Sequence, residues 1–422
     1  MTTAAATRNR TLVMTFLVVA YTLNFIDRQI IGILAEPIKH DLELSDSELG
    51  WMGGTAFALF YTALAIPLAM LADRKDRSWI ISAGLAVWSA ATALCGLAQN
   101  FWQLFLARMS VGVGEAAGVA PAYSLISDLY PAAERARALA IFSLGIPLGS
   151  SFGVLFGGLL AAHVDWRFAF IGIGFVGVLF APFFKAVVKD PGHGRADEGV
   201  RSAAPSLKVV FRTVAAKPSF WLLGFGAGTA SLVSYGLAFW IPSFLARSYG
   251  LELVDRSLLF AAILLVGGCA GIWFGGVAGD RLGNAHPRGY ALVPAVAFAI
   301  TLPAYLLAFS SQSLLVASLL FLVPTALGLT WLGPVVTAIT RLVPPEMRAT
   351  AAAMFLFINN LIGLGAGSTV IGAISDALSS RYGDEALRYS AMATTSLYAL
   401  AALLMLLAAR RLQRDVVTGP AS

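Results

Sequence analysis

The sequence predicts an all-α integral membrane protein with 12 transmembrane helices in two pseudo-symmetric six-helix bundles. Three observations carry this. Of the 422 residues, 58% are hydrophobic and only 12% charged, about half the charged share of a soluble chain. Mean hydropathy is +0.78. Twelve apolar runs are each long enough for a span of ~20 residues, and none shows the strict ~10-residue alternation of a membrane β-strand. Loop patterns of the first half return in the second. Composition therefore excludes a soluble enzyme, a disordered chain and a nucleic-acid binder, despite a pI near 9.4.

The runs fall near 11–36, 48–72, 78–98, 102–128, 134–162, 166–187, 217–245, 256–279, 289–309, 312–341, 349–376 and 389–409. The first is too long for a cleaved signal, lacks an A-x-A site and carries Asn24, Asp27 and Arg28, so it is expected to stay as helix 1. Lys and Arg set the orientation. With the N-terminus inside, inner segments hold 21 of the 29 basic residues, outer loops six and spans two. Both termini are therefore expected in the cytoplasm of a multi-pass plasma membrane of the bacterial inner-membrane type. The basic pI is this bias and no nucleic-acid footprint. Ser45-Asp-Ser-Glu48 reads as a capping box opening helix 2.

Residues 1–187 are expected to form the N-terminal bundle, 188–216 a cytoplasmic linker, and 217–422 the C-terminal bundle and tail. Within the linker Leu207, Val210, Phe211 and Val214 follow i, i+3, i+4, i+7 spacing, with Lys208 and Arg212 off that face. That pattern predicts a helix lying on the inner membrane surface; a plain polar linker is the alternative.

Two loop patterns repeat. Leu71-Ala-Asp-Arg-Lys-Asp-Arg77 after helix 2 is echoed by Gly276-Val-Ala-Gly-Asp-Arg-Leu-Gly283 after helix 8, and Pro131, Arg135 and Ala138 are echoed by Pro344, Arg348 and Ala351. Offsets of 207 and 213 residues imply two halves duplicated in parallel orientation. On these residues the chain resembles the major facilitator superfamily over essentially its whole length. The Asp-Arg loops resemble that family's G-x-x-x-D-[RK]-x-G-[RK]-[RK] motif, with Ala69 and Asp76 where glycines are usual. The resemblance implies gating roles for Asp73, Arg74, Arg77, Asp280, Arg281, Arg135 and Arg348. Arg108-x-x-x-Gly112-x-Gly114 resembles a second family motif. Asn24-Phe-Ile-Asp-Arg28, Leu44-Ser-Asp-Ser-Glu-Leu-Gly-Trp51 and Gly112-Val-Gly-Glu-Ala116 resemble the spinster-like subfamily, which implies export of sphingolipid- or lysophospholipid-type substrates.

Four charges lie deep in spans: Asp27, Arg28, Arg108 and Glu115. Each is costly in lipid, so each needs a reason. Tyr21, Asn24 and Arg28 share a stripe of helix 1, with Asp27 beside them, and Arg108 and Glu115 share a face of helix 4. Burial favours a neutral carboxyl and a nearby arginine favours its anion, so a moving arginine could switch one between the two. Glu115, among glycines and apolar residues, is the first candidate proton carrier. Asp27 is expected to pair with the adjacent Arg28. Arg108 and Arg28 could bind an anionic head group by bidentate hydrogen bonds. A static charge network joining helices 1 and 4 is the alternative. Tyr61, Tyr235, Trp240, Trp331, Asn359 and Asn360 could line the cavity; packing or interface anchoring is the alternative for each.

Helix 5 carries Gly145, Gly149, Gly153 and Gly157, and helix 8 carries Gly267, Gly271, Gly275 and Gly279. Small-residue ridges allow close approach in lipid. In the superfamily helices 5 and 8 meet across the halves, so the ridges are expected to form a sliding contact; static packing is the alternative. The four histidines (His40, His163, His193, His286) are dispersed in loops, and Cys95 and Cys269 lie in apolar runs, so no metal or disulfide is expected. No Walker motif or dinucleotide fingerprint is present, so neither a cofactor nor ATP is expected. The reading is a transporter and not an enzyme, functional as a monomer, with protons, membrane lipids and a small-molecule or lipid substrate as partners. It is expected to be a proton-coupled carrier of an amphipathic or lipid-like anion working by alternating access. A symporter of small organic anions and a drug exporter are the alternatives.

Overall fold

The computed structural model describes residues 3–72, 74–192 and 206–416. Among these there is no strand. The helices are α1 (Thr3–Ile33), α2 (Ala35–Leu42), α3 (Asp46–Gly50), α4 (Ala56–Ala72), α5 (Arg77–Cys95), α6 (Phe101–Glu115), α7 (Val119–Leu129), α8 (Ala132–Ser143), α9 (Gly145–His163) and α10 (Trp166–Val187). There follow α11 (Leu207–Ala215), α12 (Pro218–Tyr249), α13 (Leu253–Ala285), α14 (Gly289–Ser310), α15 (Leu314–Leu327), α16 (Leu332–Arg341), α17 (Arg348–Tyr382), α18 (Ala386–Thr395) and α19 (Leu397–Asp415). The Ser45 box opens α3 as expected: its hydroxyl accepts from Glu48 N–H (3.1 Å), and its own N–H donates to Glu48 Oε2 (2.9 Å). A π-helical turn, Trp51–Thr55, then leads into α4.

Ten stretches among the described residues are long and apolar enough to cross a membrane. The difference from the twelve runs has a local cause. The run near 102–128 is divided between α6 and α7, and the stretch Thr350–Asp415 carries two runs in one. Several runs that read as continuous are helices in two pieces. The breaks between α6 and α7, α8 and α9, and α15 and α16 each precede a proline: Pro121, Pro147 and Pro334. A proline has no N–H for the carbonyl four residues back and crowds it, so the ladder opens there.

The chain forms two compact units: Met1–Gly199 with Ile241–Ala246 and Gly250–Ala262, and Val200–Trp240 with Arg247–Tyr249 and Ile263–Ser422. In unit 1, α1 packs on α9, α5 on α10 and α6, and α4 on α6. In unit 2, α14 packs on α15 and α19, and α17 on α16, α18 and α11. Large apolar side chains such as Phe175, Phe183, Trp273, Leu315 and Leu403 remain exposed, as a surface in contact with lipid requires. The linker helix forms as α11, with Val210 and Val214 buried and Leu207 and Phe211 exposed.

The glycine ridges face elsewhere than expected. A Cβ on Gly149 would strike the Thr22 carbonyl, one on Gly153 would lie 2.7 Å from Ile26 O, and one on Gly157 would lie 2.9 Å from Ile30 Cγ1, so the α9 ridge is filled by α1. A Cβ on Gly267 would lie 2.8 Å from Thr325 Cβ and one on Gly271 would strike Ala326 O, so the α13 ridge is filled by α15. The described glycines of each ridge are thus packed within their own unit, as in the static alternative. Where α9 does meet the first turns of α13, inside unit 1, it uses another face: Ser151 Oγ donates to Ala261 O (2.9 Å). The expected outcome is that Gly149→Ala costs about 1–3 kcal/mol by overpacking. Gly276→Ala, with open space around its Cβ, should leave the thermal midpoint unchanged or raise it. Equal melting of the two variants in detergent would remove the ridge assignment.

Candidate functional site

Unit 1 gathers the deep charges around α1, α4 and α6. Asp27, Arg108 and Glu115 are 2%, 1% and 0% exposed, and Asn24 is buried with them. Arg28 Nε donates to Glu115 Oε2 at 2.7 Å. The ion pair therefore runs from α1 across to α6 and not to the adjacent Asp27, correcting the sequence expectation. Consecutive residues on a helix point about 100° apart and do not face each other, whereas a facing helix can. Arg108 Nη1 donates to the Asp27 backbone oxygen (3.2 Å). Asn24 lies against Glu115, and Thr92 of α5 lies against Asp27.

Aromatic faces complete the setting. The Arg28 guanidinium sits over Phe25 (5.0 Å), Phe57 (4.9 Å) and Tyr61 (4.7 Å), and Arg108 over Phe57 (5.7 Å). Such rings attract a cation most strongly when water is excluded. Sequence reading found Tyr61 but missed Phe25 and Phe57, whose signal was present: Phe25 is three residues before Arg28, and Phe57 four before Tyr61. Tyr21 stacks on Phe142 (4.3 Å). Two arginines and two carboxylates balance in charge. Even so, Asp27 Oδ1, Glu115 Oε1, Asn24 Oδ1 and Arg108 Nε find no hydrogen-bond partner in the protein.

The remaining expected residues lie in unit 2 and are described there by themselves. Trp240 Nε1 donates to Ser368 O (2.8 Å), Asn359 Oδ1 accepts from Ser231 Oγ (2.9 Å), and Trp331 meets Phe355 edge-on at 6.0 Å. All three are buried, while Tyr235 and Asn360 are half-buried.

The Asp-Arg loop places its arginines unequally. Arg74 is exposed, whereas Arg77 is fully buried. Arg77 pairs with Asp128, donates from Nη1 to Ser124 Oγ (3.0 Å), and grips Asp190 from its backbone N–H (2.7 Å), Nε (3.0 Å) and Nη2 (2.5 Å). Asp76, where a glycine is usual, caps α5: Oδ1 accepts from Ser78 N–H (2.9 Å) and Trp79 N–H (3.2 Å), and Oδ2 from Lys185 (2.9 Å). Burial pushes both carboxyls up, but their hydrogen bonds outweigh it. Asp76 is held below its usual range, and Asp190, bonded by Arg77 and by Gly192 N–H, is brought to about 2. Arg135 Nη2 donates to Ser127 O (2.8 Å), and Arg281 and Arg348 are exposed. Asp73, His193 and the side chain of Asp280 lie outside the described residues. Asp128 and Asp190 escaped sequence reading; only Asp128, ending a span, left a signal.

A carboxyl held below its ordinary ~3.9 stabilises the fold above that pH and loses the contribution as pH falls toward its folded value. The Asp190 contribution should therefore be complete at neutral pH and fade from roughly pH 4 downward. Asp190→Asn should melt lower than wild type at neutral pH, the gap closing in acid. A gap independent of pH would place the stabilisation elsewhere.

With this geometry in place, comparison with known proteins gives a consistent assignment. The Major Facilitator Superfamily pattern matches residues 17–367. The chain is 34% identical over 404 residues to an MFS-type efflux pump of Mycolicibacterium smegmatis, covering 94% of this chain and 92% of that protein. It is 32% identical to protein spinster homolog 1 of Xenopus tropicalis, covering 84% and 71%. Its fold matches the crystal structure of a bacterial homolog to the human lysosomal transporter Spinster, in an inward-facing and unoccupied conformation. That match has a TM-score of 0.88 at 31% identity, over 98% of this chain and 99% of the other. The chain belongs to the major facilitator superfamily, as a spinster-like, multi-pass membrane transporter rather than an enzyme.

Proposed function

We propose that this transporter is proton-coupled and moves an amphipathic, lipid-like anion by alternating access between two six-helix halves, twelve spans in all. Both termini would face the cytoplasm. The observation that carries the reading is the buried Arg28–Glu115 pair, flanked by Asp27 and Arg108, with polar atoms that no protein group satisfies. Buried polar atoms without partners cost stability and are retained where function needs them.

The chemistry follows from charge balance. While Glu115 is an anion, Arg28 is held by it and by three ring faces. A proton on Glu115 removes the countercharge and frees the guanidinium for an anionic head group, since an arginine stays charged. An arriving anion in turn competes for Arg28 and changes the proton affinity of Glu115, so the two ligands are linked reciprocally. Arg108, hydrogen-bonded to the Asp27 backbone, is positioned to assist, and Asp27 balances it. The lipid-like substrate rests on the spinster-like motifs. Tyr21, Asn24 and Tyr61 would line the first-half side of the site, and Tyr235, Trp240, Trp331, Asn359 and Asn360 the second. The Asp73, Arg74, Arg77 and Arg135 loop with Asp280, Arg281 and Arg348 would gate it. A second reading, export of small drug-like compounds, is favoured by the 34% identity to an efflux pump.

In proteoliposomes loaded with a panel of fluorescent lysophospholipids and small organic anions, wild type should concentrate one class by about tenfold per unit of pH gradient for a single coupled proton. Glu115→Gln should lose this accumulation while keeping exchange at equal pH. Asp27→Asn should weaken both, because it leaves two buried arginines against one carboxylate. Undiminished accumulation by Glu115→Gln would transfer the role to Asp27, by both variants would place the proton outside this cluster, and a wild type that ignores the pH gradient would remove proton coupling. The topology is checked separately: with Cys95 and Cys269 replaced by alanine, His40→Cys and Ser206→Cys should react with an impermeant maleimide from opposite sides of the membrane.

A further inference from the structure

A groove of about 670 Å³ opens on the outer surface of unit 2, where α11 turns into α12 beside the end of α19. From α12 the lining is apolar, Pro218, Trp221 and Leu222; from α19 it is Leu407 followed by Arg410 and Arg411. Neither arginine has a side-chain partner among the described residues. Asp415, the carboxylate nearest to them in sequence, is already committed: its Oδ2 accepts from Ser219 N–H (3.0 Å), and its backbone oxygen accepts from Lys217 Nζ (2.6 Å). Lys217 Nζ also donates to Leu342 O (2.5 Å), and Trp221 Nε1 to Ala215 O (3.1 Å). Lys217, Trp221 and Asp415 are therefore tied down, while no described residue neutralises the two guanidiniums.

The approach to the groove is graded. Leu403, Leu407 and Arg411 follow i, i+4 spacing along one exposed face of α19, so about 12 Å of helix passes from aliphatic to basic. Trp221 stands at the transition, stacked on exposed Phe225 at 5.8 Å and edge-on to exposed Phe211 at 6.5 Å. Tryptophan favours the level at which acyl chains give way to head groups, and basic pockets between helices there suit acidic lipids. We propose that this groove binds an anionic phospholipid of the leaflet nearest the chain termini. Its phosphate is bridged by Arg410 and Arg411, and its acyl chains run along Leu407 and Leu403. Guanidiniums bind phosphate oxygens bidentately, and the apolar stripe selects a lipid over a soluble phosphate. The site is separate from the charge cluster of unit 1 and independent of what that cluster transports.

The test uses full-length protein in nanodiscs and reads quenching of Trp221 by brominated lipid, taken as the difference between wild type and Trp221→Phe. At equal mole fraction, brominated phosphatidylglycerol should quench more than brominated phosphatidylcholine. Arg410→Gln with Arg411→Gln should lower that preference by roughly thirtyfold, taking one interfacial charge at a time, while the double lysine variant keeps most of it. Wild type alone gives a second measurement, because added salt should screen the preference away. Equal quenching by the two lipids, a glutamine variant that quenches like wild type, or a salt-independent preference would overturn the proposal. Displacement of the brominated phosphatidylglycerol by glycerophosphate, which has no chains, would make this a soluble-phosphate site and also overturn it.

Discussion

A guanidinium cannot give up its proton inside a protein, so Arg28 and Arg108 must be answered where they stand. The architecture of unit 1 follows from how they are answered. Glu115 meets Arg28 at 2.7 Å, and three aromatic faces cover the rest of the cation. For this, α1, α4 and α6 must converge closely. Glycine makes the convergence possible: a Cβ on Gly112 would strike the Phe57 carbonyl, and one on Gly114 would strike the Trp88 backbone. The glycines beside Glu115 thus set the distance over which its pairing operates. The α9 ridge, closed on Thr22, Phe25 and Ile26, holds α1 from its other side.

Arg77 shows the opposite use of the same side chain. It is as buried as Arg108, yet its guanidinium is taken up by Asp128, Asp190, Ser124 and the Gly192 carbonyl. Nothing in that arrangement is left to be satisfied by a ligand, and its effect is to bind the end of α7 and the segment after α10 to the start of α5. The Arg28 and Arg108 cluster keeps polar atoms without protein partners. The contrast between a saturated arginine and an unsaturated pair is what the proposed function rests on.

Unit 2 spends its polar groups differently. There the Asn359 amide oxygen is matched by the Ser231 hydroxyl and the Trp240 indole by the Ser368 carbonyl. At the surface of this unit Arg410 and Arg411, beside the α11–α12 turn, find no ion-pair partner among the described residues. Deep charge in one unit and surface charge in the other agree with a chain whose halves share a pattern but have diverged in chemistry.

Hydropathy, the position of charges and the proline and glycine punctuation are local properties, and from them the sequence alone determined an all-helical membrane chain. It likewise determined the capping box at Ser45, the linker helix at 207–215 and the residues of the charge cluster. What it did not determine was pairing. Asp27 and Arg28 are neighbours in sequence, yet helix geometry turns them apart and gives Arg28 to Glu115, 87 positions away. The ridges of α9 and α13 were legible as flat faces, but a spacing of four says only that something comes close, not which helix. Asp190 left no trace at all, because a loop carboxylate reaches a buried arginine only after α5 and α10 have packed. Relative helix rotation and the choice of neighbour arise from packing many side chains at once, and that is decided only in the tertiary structure.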